Sequence, residues 1–164
     1  MDVATILTPS SVRCEAQVTS KKHALELLSR MLAAAAGGAK AGKILDGLAA
    51  RERLGTTALG ASVAMPHARV SGIERSVGAF VRLAEPVAFD ALDGRPVDLL
   101  FGLLVPESST AAELKEIREL VKKLRDPDLQ RELRASDDTQ VLYDLLTDNL
   151  TIIRPSPVQR TTGR

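Results

Sequence analysis

The chain has 164 residues, 45% apolar and 26% charged, with a formal net charge of +1. That length suits one domain with a substantial core, and the near-neutral balance carries no basic excess of the kind a nucleic-acid binder shows. Aromatics make up 2% with no tryptophan, so single-strand stacking platforms are missing and the core has to come from Leu, Val, Ile and Ala.

The lone cysteine, Cys14, excludes an intramolecular disulfide and reads as an inert structural or surface thiol. No apolar run reaches the ~18 residues that span a bilayer, and the N-terminus lacks the basic-then-apolar order of a signal peptide. A cytoplasmic protein without membrane insertion is expected. His23 and His67 are the only histidines, and with Cys14 they form no metal-ligand spacing. There is no GxxxxGK[ST] phosphate loop and no GxSxG elbow. Neither a metal nor a cofactor is expected.

In chain order, residues 12–18 alternate like a short strand. Ser20 can cap a helix to about residue 36, with Ala24, Leu25, Leu28, Met31, Leu32 and Ala35 on one face. Gly37 and Gly38 end it. A second helix is predicted over 39–53, with Ile44, Leu45 and Leu48 facing inward. The stretch "GTTALGAS", 55–62, has no regular periodicity and reads as a loop. Residues 63–65 suggest a short strand closed by Pro66, and 75–83 a longer one. The run "VDLLFGLLV", 97–105, is continuously apolar, as in a strand covered on both faces. Helices follow at about 110–125, 127–134 and 137–147. This order predicts an α/β protein: a three-layer α/β/α arrangement with a mixed central sheet, in a single domain over 1–150. The Pro- and Thr-rich end, 151–164, is expected to be a disordered tail.

His67 is the candidate for chemistry. Pro66 has no N–H and a fixed φ, and it biases Met65 towards extended backbone. The strand is therefore expected to stop there, with His67 emerging at its end. A packed loop histidine would satisfy the same pattern. A neutral imidazole is also a nucleophile. Phosphoryl carriage requires only an accessible ring nitrogen, an acceptor for the other nitrogen, and donors for the phosphoryl oxygens. Thr56, Thr57 and Ser62 offer hydroxyls in the preceding loop, and Gly55 and Gly60 let backbone N–H groups approach. Arg51 lies three positions after Leu48 and seven after Ile44. It either packs its stem with the head in water or presents its fork to a phosphoryl group.

These residues carry a resemblance. "RERLGTTALGASVAMPHAR" resembles the phosphohistidine-site signature of the mannitol/fructose-type IIA domains of the phosphoenolpyruvate-dependent phosphotransferase system. "EPVAFDALDGRPVDLLFGLLVP", 85–106, resembles the nitrogen-regulatory branch of that family. The resemblance runs from about residue 3 to 147. It implies that His67 accepts a phosphoryl group from an HPr-like phosphocarrier protein and that Arg51 stands beside that group. It also implies control of target proteins, such as kinases or transporters, according to phosphorylation state. Such proteins serve nitrogen, potassium or stress regulation. A protein-binding regulator without phosphorylation and a IIA subunit of a fructose- or mannitol-type transporter stay as alternatives.

One departure bears on the choice. The family usually places a second histidine at the start of the helix after "LLVP", where this chain has Glu113. Thr110-Ala111-Ala112-Glu113 has the form of a capping box. Glu113 also shares a helical stripe with Ile117, Leu120 and Leu124, so a place in the cleft is the other reading. An ionised carboxylate ~4 Å from a phosphoryl group would cost on the order of 4 kcal/mol at an intermediate dielectric. His23, outside any motif, reads as structural.

Overall fold

The computed structural model describes residues 2–148. A short helix α1 (Val3–Ile6) and a 3-10 turn (Pro9–Ser11) lead into β1 (Val12–Ala16). The long helices α2 (Lys21–Ala35) and α3 (Ala41–Arg53) follow. Then come five strands, β2 (Ala58–Gly60), β3 (Val63–Ala64), β4 (His67–Val70), β5 (Val77–Val87) and β6 (Val97–Pro106). Three helices, α4 (Ala111–Leu124), α5 (Pro127–Ala135) and α6 (Thr139–Leu146), close the described chain. The expected tail over 151–164 lies outside the described residues.

The six strands form one mixed sheet in the order β1-β5-β6-β3-β2, with β4 also paired to β6. β1 runs parallel to β5, β5 antiparallel to β6, and β3 and β4 parallel to β6. The apolar run of β6 is divided between two cores by the period of two of a strand. Leu100 and Leu104 face the cluster built on α2 and α3, whereas Leu99, Phe101, Leu103 and Val105 face the cluster built on α4–α6. Helices therefore cover both faces, and the predicted α/β arrangement is the one observed. Gly102 lies on the α2 side, where an added Cβ would sit 3.1 Å from Leu28 and 3.2 Å from Leu32. The absent side chain lets α2 lie close on the sheet.

The helix ends follow local chemistry. Ser20 accepts the N–H of His23 at 3.0 Å, and Asp126 and Asp138 cap α5 and α6, with Pro127 opening α5. The His23 ring accepts the N–H of Thr19 at 3.2 Å, a structural role at the start of α2. Cys14 donates to the carbonyl of Asp137 at 2.9 Å and ties β1 to the turn before α6.

The structure corrects three expectations. Residues 58–60, read as loop, form β2 and pair with β3. The strand broken at Pro66 resumes at once as β4: the carbonyl of Pro66 accepts the N–H of Leu103 at 3.0 Å, so a residue without an N–H still serves the ladder. The strand expected over 75–83 runs Val77–Val87, with a register irregularity after Arg82. In each case the decisive partner is β6 or a strand paired with β6.

Candidate functional site

The site grows from the interrupted strand β3–β4, laid along one side of β6. His67 pairs in register with Leu103, three residues beyond the Ala64–Leu100 pair. Its ring is half-buried, and Nδ1 lies 2.9 Å from the carbonyl oxygen of Met65. A carbonyl only accepts, so this contact puts the imidazole proton on Nδ1 and the lone pair on Nε2. Pro66, between the two partners, keeps Met65 extended and its carbonyl aimed.

α3 packs along β4 and carries Arg51 in its last turn. Gly47 packs on Ala68, where a Cβ on the glycine would come within 3.2 Å of the alanine Cβ. The first turns of α3, with Lys40, Lys43 and Ile44, line a groove with residues 69–73. Helix and strand thus run antiparallel, with Arg51 in the last turn of α3, beyond the Gly47–Ala68 contact. There Arg51 Nη1 donates to the carbonyl of Gly55 at 2.8 Å. Arg51 and Arg53 share this last turn, where the helix dipole favours cations.

The loop between α3 and β3 is held from several sides. Thr56 donates its hydroxyl to the carbonyl of Phe89 at 2.8 Å and accepts the N–H of Ala58 at 3.1 Å. Thr57 is buried and gives both its N–H and its hydroxyl to the carboxylate of Glu52. Glu52, with its side chain 5% exposed, pairs with Lys21 at 2.8 Å. Next comes a two-residue hairpin turn with three successive positive φ angles: Gly60 at 90°, Ala61 at 55° and Ser62 at 66°. Such a turn suits Asn and Gly, and Ala-Ser here requires outside support. Asp93 accepts the N–H of Ala61 at 2.9 Å, and Arg134 donates to the carbonyl of Ala61 at 2.9 Å while paired with Asp98. The N–H groups of Arg95 and Ala61 hold the Asp93 carboxyl below its usual range.

Comparisons with known proteins place the sequence and the fold in a family. The family described as "Phosphoenolpyruvate-dependent sugar phosphotransferase system, EIIA 2" matches residues 5–149. The chain belongs to this EIIA 2 family. The IIA chain is 40% identical over 146 residues to a nitrogen regulatory protein of Bradyrhizobium diazoefficiens, covering 89% of this chain and 95% of that one. It is also 40% identical to a nitrogen regulatory protein of Pseudomonas aeruginosa, with 87% and 93% covered. Its structure matches the crystal structure of nitrogen regulatory protein IIA-Ntr from Neisseria meningitidis with a TM-score of 0.83. The identity is 36%, over 88% of this chain and 99% of that one.

The fold ties the loop 55–62 to the strand before His67, since the N–H of Met65 donates to the carbonyl of Thr57 at 3.0 Å. It gives the threonine hydroxyls another use from the one expected. The hydroxyl protons of Thr56 and Thr57 are engaged by Phe89 and Glu52, so neither is a free donor for a phosphoryl oxygen. The carbonyl of Ser62 accepts the N–H groups of Asp98 and Leu99 at 3.1 and 3.2 Å, which docks the turn on the start of β6. Glu113 adopts the capping arrangement: Thr110 N–H donates to its carboxylate at 3.1 Å, within a capping box. It lines a shallow cleft with Thr5, Ile6, Arg75, Ser76 and Glu116. That places it beside α1 and the start of β5.

Sequence reading missed Lys21, Glu52, Asp93 and Arg134. Glu52 carried a signal, since it lies four residues after Leu48 and is reached by the same buried stripe. Arg134 carried none, because its partners are 36 and more residues away. Among the described residues no helix is long and apolar enough to cross a membrane, and no group of His, Cys, Asp and Glu could hold a metal ion.

Proposed function

We propose that this IIA chain is a regulatory phosphocarrier that takes a phosphoryl group on Nε2 of His67 from an HPr-like phosphohistidine protein. The observation that carries the reading is the Nδ1–Met65 contact, which leaves the Nε2 lone pair free. In the transfer, that lone pair forms the N–P bond as the donor's N–P bond breaks, and the donor nitrogen recovers its electron pair. The proton stays on Nδ1, donated to the Met65 carbonyl, and that hydrogen bond steadies the charge that develops on the ring. The Arg51 fork stands one turn beyond the Gly47–Ala68 contact and supplies positive charge for the phosphoryl oxygens. Phosphorylated and free forms then present different charge to cytoplasmic target proteins, among them kinases or transporters, in nitrogen, potassium or stress control.

The test is phosphate incorporation from a phosphorylated HPr-like donor of the nitrogen branch. Wild type is expected to be labelled and His67→Ala not. Unlabelled wild type, or a labelled alanine variant, overturns the reading. A second reading is favoured by Glu113 in the capping box: without a second histidine, the fold could serve as a binding module indifferent to phosphate. Target binding unchanged by the donor and by His67→Ala would support it.

A further inference from the structure

An unbroken series of contacts joins Lys21, on α2, to the His67 ring. The ammonium of Lys21 pairs with the Glu52 carboxylate at 2.8 Å and lies 4.8 Å from the centre of the Phe89 ring. The same carboxylate receives the N–H and the hydroxyl of Thr57, the N–H at 3.1 Å from one oxygen and 3.3 Å from the other. The carbonyl of Thr57 receives the N–H of Met65 at 3.0 Å. The carbonyl of Met65 receives Nδ1–H of His67 at 2.9 Å.

We infer that Glu52 is a positioning residue for His67, acting through Thr57 and Met65 to hold the imidazole in the tautomer that leaves Nε2 free. A buried carboxylate is costly unless paired and hydrogen-bonded, and this one is satisfied by two groups of a single residue. Pinned at both N–H and hydroxyl, Thr57 cannot turn, so its carbonyl stays aimed at Met65. Met65, extended before Pro66, passes that placement to the ring. Lys21 pairs with the same carboxylate at 2.8 Å, and hydrogen bonds within an ion pair are the stronger ones. Because Glu52 and Arg51 are neighbours on the last turn of α3, one turn of helix sets both the guanidinium and the ring. The inference rests on His67 as the phosphoryl acceptor for its consequence in rate. Its structural half stands without that reading.

The experiment compares wild type, Glu52→Ala, Glu52→Gln and Thr57→Val. The His67 tautomer is read by ¹⁵N NMR of the imidazole, and the rate of labelling by a phosphorylated HPr-like donor. Wild type is expected to show one tautomer, protonated at Nδ1. Glu52→Ala is expected to show a mixture and to be labelled roughly 10–100-fold more slowly, the loss of a charge-assisted contact, with circular dichroism unchanged. Glu52→Gln keeps an acceptor oxygen for Thr57 and is expected to recover most of both. A folded Glu52→Ala with the wild-type tautomer and rate overturns the inference. If that variant does not fold, Thr57→Val carries the test, and a wild-type tautomer and rate in it overturn the inference equally. If wild type is never labelled, the phosphocarrier reading fails, and the tautomer comparison alone decides the role of Glu52.

Discussion

The His67 ring is held by its own backbone: Nδ1 lies 2.9 Å from the carbonyl oxygen of Met65, two residues earlier. A ring held by its own strand keeps its orientation whether or not a partner protein is bound. For the proposed phosphoryl acceptor, orientation is thereby built in before any encounter, which would lower the entropy cost of transfer.

Arg51 should matter to transfer and little to folding. Its guanidinium donates to the carbonyl of the exposed Gly55. Arg51→Ala is expected to slow labelling by roughly 10–100-fold, the worth of a charge-assisted hydrogen bond in rate. The urea midpoint should move little. Labelling at the wild-type rate would remove Arg51 from the site.

The Ala61–Ser62 turn stores strain that Arg134 and Asp93 offset. Left-handed backbone costs a non-glycine residue roughly 1–2 kcal/mol, so Ser62→Gly should raise the unfolding free energy by about 1 kcal/mol. Arg134→Ala leaves the Ala61 carbonyl and Asp98 without this partner, and should lower it by about 1–3 kcal/mol. Urea titrations of the two variants check both signs.

Lys21 gives the pH dependence a direction. Burial pushes its ammonium pKa down, but the hydrogen bond and charge of Glu52, and then of Asp90, more than reverse this and leave it above the usual 10.5. A pKa raised on folding means that the stabilisation is intact below the unfolded value and is lost as pH rises through the folded one. Wild-type stability is therefore expected to fall more steeply above pH 10.5 than that of Lys21→Met. Parallel curves from urea midpoints would contradict this.

Glu113 is expected to act on helix stability. Glu113→Ala removes the acceptor of the Thr110 N–H and should cost about 0.5–2 kcal/mol, the range for losing a helix cap. Glu113→Gln preserves the box and should leave both stability and the labelling rate of His67 near wild type. A rise in labelling rate on removing the carboxylate would instead place its charge within reach of the phosphoryl group.

Much of the fold was legible where the signal is local. The helix of Leu25, Leu28 and Leu32 and the caps at Ser20 and Thr110 are set by residues three or four positions apart, and they stand where predicted. The apolar run 97–105 announced a strand covered on both faces because its period of two reaches two cores at once. The short strands β2 and β4 were not legible. Each has four residues or fewer: β2 is held by β3, itself held by β6, and β4 exists because the distant β6 supplies its hydrogen bonds.

The same division runs through the site. From residue types and spacing alone came the candidate group and its neighbourhood: a histidine after proline, an arginine at the end of α3, and a loop between them. How these groups are held is settled by contacts made in the folded chain. It turned the hydroxyls of Thr56 and Thr57 away from a phosphoryl role, tied Glu52 to Lys21, and brought Arg134 onto the Ala61–Ser62 turn. Composition and spacing record which chemistry is available. Direction at a hydrogen bond depends on partners that the folded chain brings together from 30 or more residues apart, as with Thr56 and Phe89 or Lys21 and Glu52.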